Sequence, residues 1–214
     1  ISEAGVLPFM PSVSTVGAFS NDIKILEKVM RTMLRSEEVQ PEEIINIYLL
    51  EDAFSIADAE VSDAIRSKIS PLFEIPGIAI TSIHLSDIVG EGIDLNVTNS
   101  QALRVLQTAE FVSTVGNWIE AFSPEKGPSC SAAYENIQSF DRTELNSALL
   151  LCESIFNKIS HFVKKGDLFI FPTTPTIAPL KGSLNNLDSV LDFYDRTMAI
   201  TSFAGVGGLP EISI

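Results

Sequence analysis

Two short apolar runs restrict the fold more than anything else in this chain. "IINIYLL" (Ile44 to Leu50) and "IAITSIHL" (Ile78 to Leu85) are nearly continuous in β-branched and aliphatic residues. The first reads as a buried strand and the other as a second strand. Between them lies "DAEVSDAIRSKI", with Val61, Ala64, Ile65 and Ile69 at helical spacing, followed by Pro71 and Pro76-Gly77 as punctuation. Strand, helix and strand at this separation predict a βαβ unit at about 44–85.

The remaining segments obey the same logic. Residues 1–19 are rich in Gly, Pro, Ser and Thr and read as irregular. A helix comes next, capped by Asn21 or Asp22, with Ile23, Leu26, Val29, Met30, Met33 and Leu34 on one face. "EEVQPEE" reads as a solvated break. A long helix is expected from about Ser100 to Phe122, its core side carrying Leu103, Leu106, Phe111, Val115, Trp118, Ile119 and Phe122, and ending at "SPEKGP". A second is expected from about Asp141 to Lys164, with Leu145, Leu149, Cys152, Phe156, Ile159 and Val163 inward and Lys164-Lys165-Gly166 as its stop. "DLFIF" is a short buried strand, the next helix runs from about Leu187 to Phe203, "GVGGLP" turns, and "EISI" begins a further strand. The expectation is an α/β fold, a mixed β-sheet covered by helices.

Composition excludes several functions. The formal net charge is −14, with no cluster of Lys and Arg. Nucleic acid and anionic membrane surfaces are therefore not expected as partners. No apolar run approaches the roughly 18 residues of a membrane span. The chain opens "ISEAGVLPFM", without Met and without a basic start, and closes on an apolar run. The expectation is a processed or excised segment without a signal peptide. Its two cysteines, Cys130 and Cys152, predict no disulfide framework and fit a reduced compartment, the cytoplasm. Its two histidines, His84 and His161, lie far apart, and no metal site is expected.

No nucleophile stands out. There is no Gly-x-Ser-x-Gly elbow. "GVGGLP" comes after a helix and precedes a strand, the reverse of a phosphate-binding loop. Glu110 and Glu120 read as solvated helix carboxylates, and His84, at a strand end, has no flanking partner in sequence. Trp118 reads as core more readily than as a ligand contact. The stretch "FPTTPTIAP" (Phe171 to Pro179) leaves a buried strand with three prolines and three threonines. Ligands of open α/β sheets sit outside the carboxyl ends of strands, so Thr173, Thr174 and Thr176 are candidate binding residues. Equally, proline stiffens a turn and threonine satisfies nearby backbone groups.

The order of these segments resembles the amidase signature family, in its portion downstream of the catalytic core. "STVGAFSNDIKILEKV" looks like the family's DTVG turn and the helix after it. "LQTAEFVSTVGNWIEAFSPEKGP" is similar to the long helix of the smaller, plant and bacterial acetamide-hydrolase type. "DLFIFPTTPTIAP" and "SFAGVGGLPEISI" resemble its PTTP turn and returning strand. Ser20-Asn21 departs from the Ala-Arg often found there. The resemblance implies that residues 1–214 form the C-terminal segment of an incomplete amidase-signature fold. It implies a serine hydrolase of carboxamides that releases ammonia or an amine and needs no cofactor. It also implies that the catalytic serines and lysine lie upstream, so that no catalytic residue falls in this chain. Thr173, Thr174, Thr176 and Trp118 would then face a small amide substrate in the complete protein, which is expected to bind neither nucleic acid nor membrane and to be a candidate homo-oligomer. The alternative is a non-catalytic amidase-like binding or docking domain. A subunit of a glutamine-dependent amidotransferase is a third reading.

Overall fold

The structure, a computed structural model, describes residues 5–6, 9–35, 43–126, 134 and 143–214. Most of "EEVQPEE", the Gly-Pro of "SPEKGP", Cys130 and the first residues of the second long helix lie outside these. The elements, in order, are α1 (Ile23–Leu34), β1 (Asn46–Leu50), α2 (Glu51–Ile56), α3 (Ala59–Ile69), a 3-10 turn (Ser70–Glu74), β2 (Ala79–Ile83) and α4 (Leu85–Val89). Then come α5 (Leu95–Val97), a π segment (Thr98–Leu103), α6 (Arg104–Phe111), a second π segment (Val112–Gly116) and α7 (Asn117–Phe122). The last are α8 (Thr143–Phe162), β3 (Asp167–Ile170) and α9 (Leu187–Gly207).

The βαβ unit forms as the sequence predicts. β1 lies in the centre of the order β2-β1-β3 and pairs in parallel with both neighbours. The class is α/β, and the three strands described are all parallel, so any antiparallel member of the expected mixed sheet is not among them. Alternation along β1 builds two cores. Ile47 and Leu49 face one way, onto Phe54, Ile65 and Ile69 of the α2–α3 side. Leu50 faces the other, among Leu85, Ile155, Ile159, Ile200 and Phe203 of the larger core. Tyr48 stacks between Phe162 and Phe169 on that second side, with ring centroids 5.1 and 5.2 Å away. Each fully buried Leu, Ile or Phe contributes about 1.5–3 kcal/mol of transfer free energy, so the central strand is the most strongly held.

Handedness explains which helices cover which face. Crossovers between parallel strands are right-handed. The step from β1 to β2 and the step from β2 past β1 to β3 run in opposite directions, so their helices must take opposite faces. Accordingly α3 packs on one face, while α4, α6 and α8 build the core on the other. The α9 helix joins that second face through Ile200, Phe203 and Val206.

Local signals set several boundaries. Asp22 caps α1, its carboxylate accepting from the N–H groups of Lys24 and Ile25. Gly166 has φ +89° and separates α8 from β3. The α9 helix runs four residues past the expected Phe203, through Gly205 and Gly207, and closes at Gly208 in the left-handed conformation. "GVGGLP" is thus a helix end, as its order in the sequence implies.

Three expectations fail for physical reasons. "EISI" does not pair as a strand in this structure: Ile212 and Ile214 are exposed. Its Ser213 Oγ instead lies 3.1 Å from Thr173 Oγ1, beside the end of β3. Leu149 and Phe156 of α8 are exposed, because the inward stripe runs through Ala148, Ile155 and Ile159. Trp118 and Phe122 stand outside the core at 54% and 70% exposure, whereas Ile119 is buried. A π turn accommodates an extra residue, so each π segment rotates the inward face of the helix C-terminal to it. A strict 3.6-residue count across 100–122 keeps Leu103, Leu106 and Ile119 inward and misplaces Trp118 and Phe122, beyond the second of them. The apolar face of α1 is also uncovered: none of its residues is buried.

Candidate functional site

In a doubly wound sheet, a crevice opens where two adjacent strands send their connections to opposite faces. Here those strands are β1, which leads to α2 and α3, and β3, which leads to α9. The crevice is closed by a small set of polar contacts. The Asp58 N–H donates to Pro175 O at 2.7 Å, which ties the α2–α3 corner to the proline turn. Arg196, on α9, donates from Nε and Nη2 to Ile56 O at 3.2 and 2.7 Å, and from Nη2 to Asp58 Oδ1 at 2.6 Å. The guanidinium thus satisfies a carbonyl at the end of α2, where helices leave acceptors unpaired.

Above Arg196 lies a cleft of about 490 Å³, formed by the segment after the turn and the first half of α9. Ile177, Pro179, Leu180, Leu184 and Phe193 make its walls, and Thr176, Ser189 and Asp192 supply its polar atoms. The size and the mostly apolar lining are those of a small-molecule site. Most of its polar atoms are engaged locally. Thr176 Oγ1 donates to Ile177 O at 2.8 Å, and Ser189 Oγ donates to Asn186 O at 2.9 Å. Asp192 is the exception: its carboxylate is exposed and, among the described residues, meets Arg196 Nη1 alone, at 3.8 Å.

The sequence-predicted residues divide. In the turn, Pro172 and Pro175 are buried, while Thr173 and Thr174 point outward. Thr174 Oγ1 donates to Thr176 O at 2.9 Å, so this hydroxyl stiffens the turn. Thr176 alone of the three threonines lines the cleft. Trp118 is not part of the lining and meets Phe122, ring centroids 5.8 Å apart. The structure therefore brings the threonines together on one turn and leaves Trp118 elsewhere.

A second polar group gathers at the ends of β1 and β2, and of its members the sequence singles out only the histidine. Arg66 donates to both oxygens of Glu51, at 3.3 and 2.5 Å, and lies 4.2 Å from the centre of the Phe54 ring. Ser82 Oγ donates to Glu51 Oε1 at 2.6 Å. Burial alone would push the Glu51 carboxyl up. The bonds from Arg66 and Ser82, with the charges of Arg66 and His84, outweigh it and hold the group below its ordinary value. The neighbouring Asp52 accepts from Leu85 N at 2.8 Å and lies 3.3 Å from His84 Nδ1. So His84 does have a carboxylate partner, 32 positions away. The signal was "ED" directly after a buried strand, a pair of acids placed where strands end. No free hydroxyl completes a nucleophilic set here, since Ser82 is given to Glu51. The group latches β1 to β2.

Elsewhere, Glu110 accepts from both the N–H and the hydroxyl of Ser12, and so holds the irregular N-terminal stretch. Burial pushes the Cys152 thiol up, which disfavours the reactive thiolate. Among the described residues no group of three or more His, Cys, Asp or Glu is placed to hold a metal ion. Among them, too, no helix is long and apolar enough to cross a membrane.

Comparison with known proteins agrees with this scaffold. No family model matches the chain. Over its whole length it is 22% identical to Amidase 1 of Arabidopsis thaliana, of which it covers 55%, and 21% identical to Amidase 1 of Oryza sativa subsp. japonica, of which it covers 53%. It is 20% identical to Translocon at the outer membrane of chloroplasts 64 of Pisum sativum, covering 39% of that protein. The likeness is weak but runs end to end, and it relates the chain to amidases. The chain spans about half the length of the amidases it matches, and less of the translocon protein.

Proposed function

We propose that this chain is the scaffold and substrate-pocket segment of an amidase-like hydrolase whose nucleophile and base are supplied by sequence outside it. The observation that carries the reading is the cleft beside the crevice between β1 and β3, the place where α/β sheets bind ligands. End-to-end similarity to two plant amidases supports it. In this reading the proline turn is a rigid wall. A pre-ordered wall loses little entropy when a ligand arrives. Arg196 holds that wall against α2 and α9 and takes no part in bond making.

The test is the complete protein assayed against aliphatic and aryl amides. Leu180→Ser, in the apolar wall, should raise KM by about tenfold, on the order of 1.4 kcal/mol, with kcat little changed. A folded complete protein that turns over none of these amides would overturn the proposal.

A second reading, a docking domain without chemistry, has its own support. Similarity to the translocon protein of Pisum sativum, at 20%, is almost as high as that to Amidase 1. Phe19, Ile23 and Leu34, in and beside α1, are also large apolar residues left exposed. An inert complete protein would favour this reading.

A further inference from the structure

We infer that the cleft beside Arg196 takes a small apolar amine, held as its cation by Asp192. The inference rests on reading the cleft as a pocket, and it names the class of ligand. The apolar walls select an aryl or branched alkyl body, since Leu180, Ile177 and Leu184 are all exposed around them at 83%, 62% and 38%. Covering these surfaces removes apolar area from water, which is the main drive for such binding. The charge of the ligand is set by how the ionic groups are shared.

Arg196 is the cation of the lining, and two of its three nitrogens are already used. Nε and Nη2 serve Ile56 O, and Nη2 also serves Asp58 Oδ1 at 2.6 Å. A carboxylate ligand could reach Nη1 without displacing these short contacts, but there it would meet the Asp192 carboxylate, 3.8 Å from the same nitrogen. Two carboxylates, Asp58 and Asp192, face one guanidinium, so one negative charge is in excess. Asp58 holds the near contact, which leaves the excess on Asp192. The Asp192 carboxylate has only the 3.8 Å contact to Nη1, beyond hydrogen-bond distance. Asp188, one turn earlier on α9 and exposed, adds a further negative charge to the first turn of that helix. Lys181 is the cation in the opposing loop and is exposed, so solvent screens it. An ammonium at the Asp192 end would gain a charge-assisted hydrogen bond that no group of the protein makes. The apolar body would then extend along Pro179, Leu180 and Leu184.

Three ligands of one shape separate the possibilities: 2-phenylethylamine, 2-phenylethanol and phenylacetate. Binding to the chain is monitored by backbone amide NMR shifts at 176–196, and affinity by calorimetry. The amine should bind about tenfold more tightly than the alcohol, with phenylacetate weakest. Asp192→Asn should bring amine and alcohol within about twofold while both still bind. Leu180→Ser should weaken amine and alcohol alike, and Lys181→Gln should widen the preference for the amine. Asp192 and Leu180 are surface residues, so both variants should keep the wild-type spectrum away from the cleft. Equal binding of all three ligands, tighter binding of phenylacetate, or a preference that survives Asp192→Asn would overturn the inference and leave the pocket standing. No shift at the cleft with any of the three would overturn both the inference and the pocket reading. Amide turnover by the complete protein is a separate measurement and does not enter this one.

Discussion

Replacing Gly166 by alanine tests how the end of α8 sets the sheet. Gly166 has φ +89°, and a Cβ placed there would lie 2.5 Å from Glu43 O and 3.3 Å from Ile45 Cγ1. The same residue accepts from Ile45 N at 2.9 Å, just before β1 begins. The backbone oxygen cannot move aside without disturbing that bond and the Asn46–Asp167 register beside it, where Asn46 Nδ2 donates to Asp167 Oδ1 at 2.7 Å. Two costs therefore add. The left-handed conformation costs a residue with Cβ about 1–2 kcal/mol. Relieving the clash costs about 1–3 kcal/mol more, the usual range for overpacking. Gly182 supplies the control, with φ +85° and nothing within 4 Å of its built Cβ. Gly182→Ala should lose only the conformational part, and the difference between the two variants isolates the clash. Urea unfolding monitored by circular dichroism should show a total loss of about 2–5 kcal/mol for Gly166→Ala. A melting temperature lower by roughly 4–20 °C should accompany it, given about 2–4 °C per kcal/mol for a chain this size. Equal losses in the two variants would refute the claim that Glu43 O and Ile45 crowd this position.

The remaining predictions concern the two polar groups. Arg196→Ala should destabilise by about 1–3 kcal/mol, because a charged donor leaves Ile56 O without its partner. Arg196→Lys should recover only part of this in the same urea titration, since an ammonium cannot reproduce the fork. Arg66→Met should remove the largest influence holding the Glu51 carboxyl down. A folded carboxyl held below its ordinary value stabilises above the unfolded value and loses that contribution as pH falls through the folded one. The stability gap between wild type and Arg66→Met should thus be widest near neutral pH and close as pH falls below about 4.5. A gap that is constant from about pH 7 to about pH 3 would mean that Arg66 acts through packing on Phe54 alone.

The sheet was legible because a strand buried on both faces writes its apolar run directly into the sequence. Ile44 to Leu50 did so for the central β1, whereas β2, at the sheet edge, buries Ile83 and leaves Ala79, Thr81 and Ser82 exposed; the spacing of Val61, Ala64, Ile65 and Ile69 gave α3 between them. The cap at Asp22 and the stop at Gly166 were also readable, since backbone geometry selects those residue types, while the end at Gly208 lies past the expected Phe203. Helix faces were less so. A period carries no mark of where it slips, and for that reason an unbroken count points Trp118 inward when it is exposed. The site was half legible. The proline turn at a strand end pointed to a loop that borders the cleft, where Thr176 is in the lining and Thr173, Thr174 and Trp118 are not. Arg196 and Asp192 were missed because each looks like an ordinary surface charge on α9. Only the tertiary fold sets Arg196 against Ile56 and Asp58, 140 and 138 positions away. The pairing of Asp52 with His84 was hidden for the same reason.

The π segment Thr98–Leu103 works as a gear with one tooth too many. Its neighbours α5 and α6 keep helical dihedrals at the joins, so the axis continues while the count of residues per turn changes. Thr98 and Asn99 are carried to the buried side by it, with the Asn99 amide donating to Asp195 O. Removing one residue there would let the segment relax to an α-helix in register, whereas adding one more would rotate everything downstream by about 100°. Leu106 and Ile119 would swing toward water together, without either having been changed. For this helix, length in residues and facing of side chains are one quantity: the π segment can give up a residue, and it has no room for another.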